Sequence, residues 1–183
     1  MDIKFDNITI SGGIGVGTST LLGNLKTPLS PLGYRFKSTG DFFRAHTKEN
    51  IMPVSTLVSD DFDRKIEQDV YTCLKKEKKW VIEGWLAGFV ARDLKKTLKI
   101  LLICSIESLR IDRITNRDKV SIKNAKKYIK QREDKNFEKW QRIYGNYNFF
   151  DQKYYDLVID TFATGPDETV EKVLDRLGFI ANK

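Results

Sequence analysis

The chain has 183 residues and a mass of 21.2 kDa, with 40% hydrophobic residues, 31% charged residues and a formal net charge of +7. That balance fits one globular domain, residues 1–183, with a sizeable core, and it excludes a disordered chain. No apolar run approaches the roughly 18 residues of a membrane span, and the charged start (Met1, Asp2, Lys4, Asp6) carries no cleavable signal pattern, so a cytoplasmic protein without a membrane partner is expected.

Short apolar runs alternate with helical patterns along the chain, the signature of an α/β fold with a parallel sheet. The first run, Phe5–Ser11, leads directly into Gly12, Gly13, Ile14, Gly15, Val16, Gly17, Thr18, Ser19 and Thr20. The spacing Gly12-x4-Gly17-x-Ser19, followed by a helix start at Leu21, Leu22 and Leu25, is that of a P-loop. Such a loop turns its N–H groups inward around a phosphate, and the helix behind it adds its N-terminal dipole. Ser19 is placed to put a hydroxyl on Mg²⁺. Thr18 stands where a P-loop normally carries lysine. The backbone cradle survives that change, but a fixed positive charge is missing. Two readings stay open on these residues: a kinase that draws its charge from elsewhere, or a nucleotide-binding protein that no longer catalyses.

A second strand is expected over Tyr34–Ser38. A helix follows further on, with Phe62, Ile66, Val70 and Leu74 on one stripe and Asp60, Asp61 and Asp63 in its first turns, where the helix dipole favours negative charge. The only histidine, His46, lies in a polar stretch beside Thr47 and Lys48 and reads as a surface residue. Strands are expected at Trp80–Glu83, Lys99–Cys104 and Asp156–Asp160, and a last helix from about Pro166, burying Val170, Val173, Leu174 and Leu177. Cys73 and Cys104 have no metal-ligand spacing and read as reduced core thiols. Between Arg110 and Arg142 stand twelve Lys/Arg against five Asp/Glu, so the whole basic excess sits in one segment. That field suits a polyanion, a nucleotide or a nucleic acid. Within it, Ser121–Tyr144 is polar and basic, a poor core element that reads as a mobile flap. The aromatic run Tyr144, Tyr147, Phe149, Phe150, Tyr154 and Tyr155 is expected to pack the base of that flap against the sheet.

These motifs, taken in order, resemble the archaeal-type cytidylate kinases, a branch of the nucleoside monophosphate kinases. Their P-loop carries threonine in the lysine position, as Gly12–Thr20 does. The likeness continues through Ser38-Thr39-Gly40-Asp41-Phe42-Phe43-Arg44, Val81–Phe89, Arg110-x-x-Arg113-x-x-x-Arg117, Arg132-Glu133, Ile143-Tyr144-Gly145 and Asp156–Thr161, covering nearly the whole chain. The resemblance implies a P-loop kinase fold, with a five-stranded parallel sheet flanked by helices and a helical lid around residues 113–145. It implies transfer of the γ-phosphoryl of ATP, with Mg²⁺, onto CMP or dCMP.

By the same resemblance Arg44 grips the acceptor phosphate, and Glu83 orients magnesium-bound water. Arg113 and Arg117 neutralise the transferring phosphoryl, with Arg132 a further candidate, and Asp41 and Asp63 fall near the nucleoside pocket. Arg113 and Arg117, at i and i+4, would share one helix face and converge on one anion. One position departs from the family pattern. Trp85 stands where an arginine is usual, with Arg92 the candidate that would compensate, and Trp85 itself reads as a packing residue before a base-stacking one. The partners expected are small-molecule nucleotides, with no nucleic acid, and the chain is expected to be a monomer. The alternatives are a P-loop kinase with another small acceptor, such as AMP or a hydroxylated metabolite, and a nucleotide- or nucleic-acid-binding protein on a degenerate P-loop scaffold.

Overall fold

A computed structural model describes residues 3–40 and 59–179 of the chain. Five strands form one parallel sheet: β1 (Asn7–Ser11), β2 (Arg35–Ser38), β3 (Trp80–Glu83), β4 (Thr97–Ile103) and β5 (Leu157–Asp160), in the order β2-β3-β1-β4-β5. The registers Ile8↔Val81, Ile8↔Leu98, Phe36↔Val81 and Leu101↔Val158 fix the pairing. Parallel strands are covered on both faces, so they read in sequence as apolar runs.

On one face lie α1 (Thr18–Asn24), α2 (Lys26–Leu29) and α7 (Pro166–Leu177), burying Leu21, Leu25, Leu29, Val173 and Leu177 against Ile8, Ile10, Leu98 and Ile100. Leu25 is itself helical, so α1 and α2 run on as one rod behind the P-loop. On the other face, α3 (Asp60–Lys76) and the short α4 (Ala87–Val90) bring Val70, Leu74, Ala87 and Ala91 onto Ile82. Ser59 caps α3, its hydroxyl accepting from the Phe62 N–H at 3.2 Å.

Buried polar groups pin the strand ends. Asn7 donates to the carbonyls of Leu74 and Glu77 at 2.9 Å and accepts from the Trp80 N–H, so β1 starts at Asn7 rather than Phe5 and holds α3 to β3. Lys99, buried in β4, gives its ammonium to Asp156 at 2.9 Å and to the carbonyls of Thr97 and Leu94. β4 begins at Thr97, two residues before the expected start, because Thr97 and Leu98 pair with Asn7 and Ile8.

The basic segment forms α5 (Glu107–Asp118) and α6 (Ile122–Tyr144), and α6, read as a flap, departs from expectation in sharing a core with α5. Ile111, Ile114, Ala125 and Ile129 close around Ile14 of the P-loop. Further along, α6 buries Asn136, Lys139 and Trp140. Two of those buried positions are polar, which hid the apolar stripe from a reading of hydrophobic spacing. The aromatic run packs α6 mainly against α4 rather than the sheet, and Tyr147 stays 43% exposed. Phe149 is fully buried among Phe89, Phe137 and Trp140.

Candidate active site

In this strand order the chain reverses direction across the sheet at β1, and ligands of open α/β sheets bind at the carboxyl ends of the strands at such a point. The loop Gly12–Thr18 lies there, between β1 and α1. Gly15 has φ +74°, and a Cβ there would come within 2.9 Å of the Arg110 carbonyl, so both conformation and space demand glycine. At Gly12 a Cβ would meet Val16 and the Leu102 carbonyl at 2.6 and 2.7 Å. The loop is therefore bare backbone pressed between its own helix and β4.

Glu83, 7% exposed at the end of β3, is the central carboxylate. Thr18 donates its hydroxyl to one carboxylate oxygen at 2.9 Å and Ser38 donates to the other at 2.5 Å. Thr18 thus points to Glu83 and holds it. It does not replace the missing lysine charge. The Ser38 hydroxyl on Glu83 is a contact between β2 and β3 that sequence spacing cannot show. Gly84 behind Glu83 has no room for a Cβ, which would overlap the Thr39 hydroxyl. Glu83 and the exposed Ser19 hydroxyl are hard oxygen donors, a set that fits Mg²⁺, which takes one or two protein oxygens and completes its shell with water and phosphate. Among the described residues no group of three or more His, Cys, Asp or Glu could hold a metal, so the donor set without phosphate is small.

The basic segment divides its arginines among different tasks. Arg110 donates to the Ile14 carbonyl at 2.9 Å and pairs with Glu133 of α6, whose carboxylate lies against Gly13. Arg113 donates to the Gly15 carbonyl at 3.0 Å and to the hydroxyl and carbonyl of Thr161 at 2.9 and 3.0 Å. Thr161 in turn donates to the Val16 carbonyl at 3.0 Å. These contacts brace the loop through its carbonyls. Arg117 forks onto Asp118 at 2.8 and 2.9 Å, with its side chain 58% exposed. Arg113 and Arg117 therefore do not meet here, although they share a helix face. Arg132 lies over the rings of Trp85 and Tyr128, and donates to the Tyr128 hydroxyl at 2.9 Å.

A second group of titratable side chains joins α3 to α6. Asp63 and Lys139 form a buried ion pair, and Asp60 and Arg142 form a bidentate one at 2.7 and 2.9 Å. Burial raises the Asp63 carboxyl above its ordinary range, against the pull of Lys139. Glu67, one turn beyond, is pushed up to about 7 by burial; the Tyr144 hydroxyl and Lys139 oppose that shift, and Asp63 adds to it. The Tyr144 hydroxyl is itself raised by burial and by the charge of Glu67. Glu67 and Tyr144 line a cleft of about 600 Å³ with Arg64, Tyr71, Phe89 and Arg92. Arg92 donates to the Phe89 carbonyl at 2.9 Å and stacks on the Phe89 ring at 4.3 Å, so it faces that cleft. Glu67 escaped the sequence reading, although its i, i+4 spacing from Asp63 beside an apolar stripe was a visible signal. Asp41, Arg44 and His46 lie outside the described residues.

A P-loop phosphotransferase fold is what the sheet order and loop define, and solved structures agree. The chain is similar to a shikimate kinase from Acinetobacter baumannii, with a TM-score of 0.61 and 18% identity over 99% of this chain and 97% of that one. It is also similar to an uncharacterized protein from Eubacterium ventriosum, with a TM-score of 0.73 and 15% identity over 96% and 99%. Residues 33–163 match the model of the cytidylate kinase-like family. A cytidylate kinase of Thermococcus sibiricus is 33% identical over 87% of this chain and 81% of its own length. One from Methanothrix thermoacetophila is 35% identical over 84% and 87%. The chain belongs to the cytidylate kinase-like family.

Proposed function

We propose that this protein transfers the γ-phosphoryl of ATP to the phosphate of CMP or dCMP, giving ADP and the cytidine diphosphate. The observation that carries this reading is the meeting of a bare-backbone phosphate cradle with Glu83, a buried carboxylate held by two hydroxyls. The cytidylate kinase relatives support the acceptor.

The cradle's N–H groups and the rod behind it bind the donor phosphates. An oxygen of the acceptor phosphate attacks the γ-phosphorus as the bond to the ADP oxygen breaks, and no general base is required of the protein. Catalysis then rests on position and on charge at the equatorial oxygens. Mg²⁺, held through Ser19 and water on Glu83, would supply charge neutralisation on the donor phosphates. Thr18 and Ser38 hold the Glu83 carboxylate in position. Arg110 and Arg113 set the loop's shape, and Arg132 meets the transferring phosphoryl. Arg117 joins when the α5–α6 lid, around residues 113–145, closes on bound ATP and draws it off Asp118. Arg44 and Asp41 serve the acceptor in this reading. Asp63 acts through its pair with Lys139, and Arg92 lines the neighbouring cleft. The protein works as a cytoplasmic monomer on small nucleotides; no helix among the described residues is long and apolar enough to cross a membrane.

Phosphorus NMR of a mixture with ATP, Mg²⁺ and CMP tests the chemistry directly. The account expects the γ-phosphorus signal of ATP to fall as the β-phosphorus of CDP rises. Release of inorganic phosphate with no CDP would overturn transfer to a nucleotide.

A further inference from the structure

Trp85 stands two residues beyond Glu83, just past the end of β3. It touches two clusters, the lid core around Ile14 and the aromatic core around Phe149. Trp140 packs edge-on against it, with centroids 5.5 Å apart. The Arg132 guanidinium lies 5.4 Å from the Trp85 ring centroid and 5.9 Å from that of Tyr128.

What surrounds Arg132 sets it apart from the other arginines of the lid. Arg110, Arg117 and Arg142 each engage a carboxylate, and Arg113 is spent on the carbonyls and hydroxyl that brace the loop. Among the described residues Arg132 meets one neutral oxygen, the Tyr128 hydroxyl, and its Nε is buried without a hydrogen-bond partner. Its neighbour Glu133 reaches Gly13, so this turn of α6 lies over the phosphate loop, while Trp85 fixes the same turn to the end of β3.

We propose that Trp85 is a positioning residue, whose ring holds the Arg132 guanidinium between the phosphate loop and Glu83 with charge and N–H donors free for phosphoryl oxygens. An aromatic face attracts a guanidinium without using its N–H groups. A carboxylate in that place would occupy the donors and have to be displaced by substrate. This inference rests on the role given to Arg132 under the proposed function.

The test is a double-mutant cycle on the full chain, with turnover measured at saturating ATP and CMP. Trp85→Met, which keeps bulk but loses the π-face, should lower kcat about ten- to thirty-fold with little change in KM for ATP. Trp85→Phe should restore most of that loss. In an Arg132→Ala background, Trp85→Met should cost nothing further. Losses that multiply would make Trp85 a packing residue only and overturn the proposal. A second measurement needs no turnover. The Arg132 Nε–H resonance of ¹⁵N-arginine-labelled protein should be shifted upfield by the ring, and should move toward the ordinary position in Trp85→Met. An unshifted resonance in the wild-type chain overturns the proposal, whether or not Trp85→Met folds. A wild-type chain that phosphorylates some other acceptor would overturn the CMP assignment and leave this measurement standing.

Discussion

Glu83 shows how a single side chain acquires a function from its neighbours. A carboxylate 7% exposed at a strand end loses most of its water, and two hydroxyl donors take up its oxygens instead. Glu83→Gln removes the charge but keeps the shape. Turnover should fall by at least about 10²-fold, while titration calorimetry still detects ATP binding. Wild-type turnover in that variant would remove Glu83 from the mechanism. Glu67 makes a different case. Its folded value near 7 exceeds the ordinary 4.5. Between those values the folded protein holds a proton that the unfolded chain has released, so stability falls as pH rises from about 4.5 to about 7. Glu67→Gln removes that dependence. Its melting temperature should exceed that of the wild type by several degrees at pH 8, on the order of 2 kcal/mol, and match it near pH 4.5. Equal melting curves at pH 8 would mean that Glu67 is ionised at no cost among Asp63, Lys139 and Tyr144.

At the scale of elements, α6 spans from the phosphate loop to α3. Its first half closes on Ile14, and its second half is tied through Lys139 to Asp63 and through Arg142 to Asp60. Lys139→Met would leave Asp63 buried without its cation, and should cost about 3–5 kcal/mol in chemical denaturation. Lys139→Met together with Asp63→Leu should cost much less, because no charge is then stranded. Equal losses would show that the pair carries no coupling. The strands were legible in sequence because parallel strands read as apolar runs. Their ends were misplaced by one residue in β2 and β5 and at the close of β4, and by two at Asn7 and Thr97, where buried polar residues set the pairing. The buried face of α6 was not legible. Asn136 and Lys139 read as solvated polar positions, and Asp63, the partner that buries Lys139, lies 76 residues away in sequence. The arginines of the lid were found, but not their division of labour. That division depends on carbonyls and on Thr161, which no side-chain pattern reports.

For the whole molecule, the sheet order places the loop at the reversal point, with Glu83 and Ser38 on the β3–β2 side and Arg113 and Thr161 on the β4–β5 side. In the proposed reaction the donor phosphates lie on this loop beside Glu83, and Arg132 over Trp85 meets the transferring phosphoryl. On the proposed function, a P-loop without lysine works because its shape comes from the braced backbone and its charge from Arg132 and Mg²⁺. Coupled ADP-release kinetics over a panel of CMP, dCMP, UMP, AMP and GMP tests that claim most directly. The account predicts that kcat/KM for CMP or dCMP exceeds that of both purine monophosphates by at least about ten-fold, a margin of roughly 1.4 kcal/mol in transition-state binding. No ADP release with any monophosphate, or a preference for AMP or GMP, would contradict it.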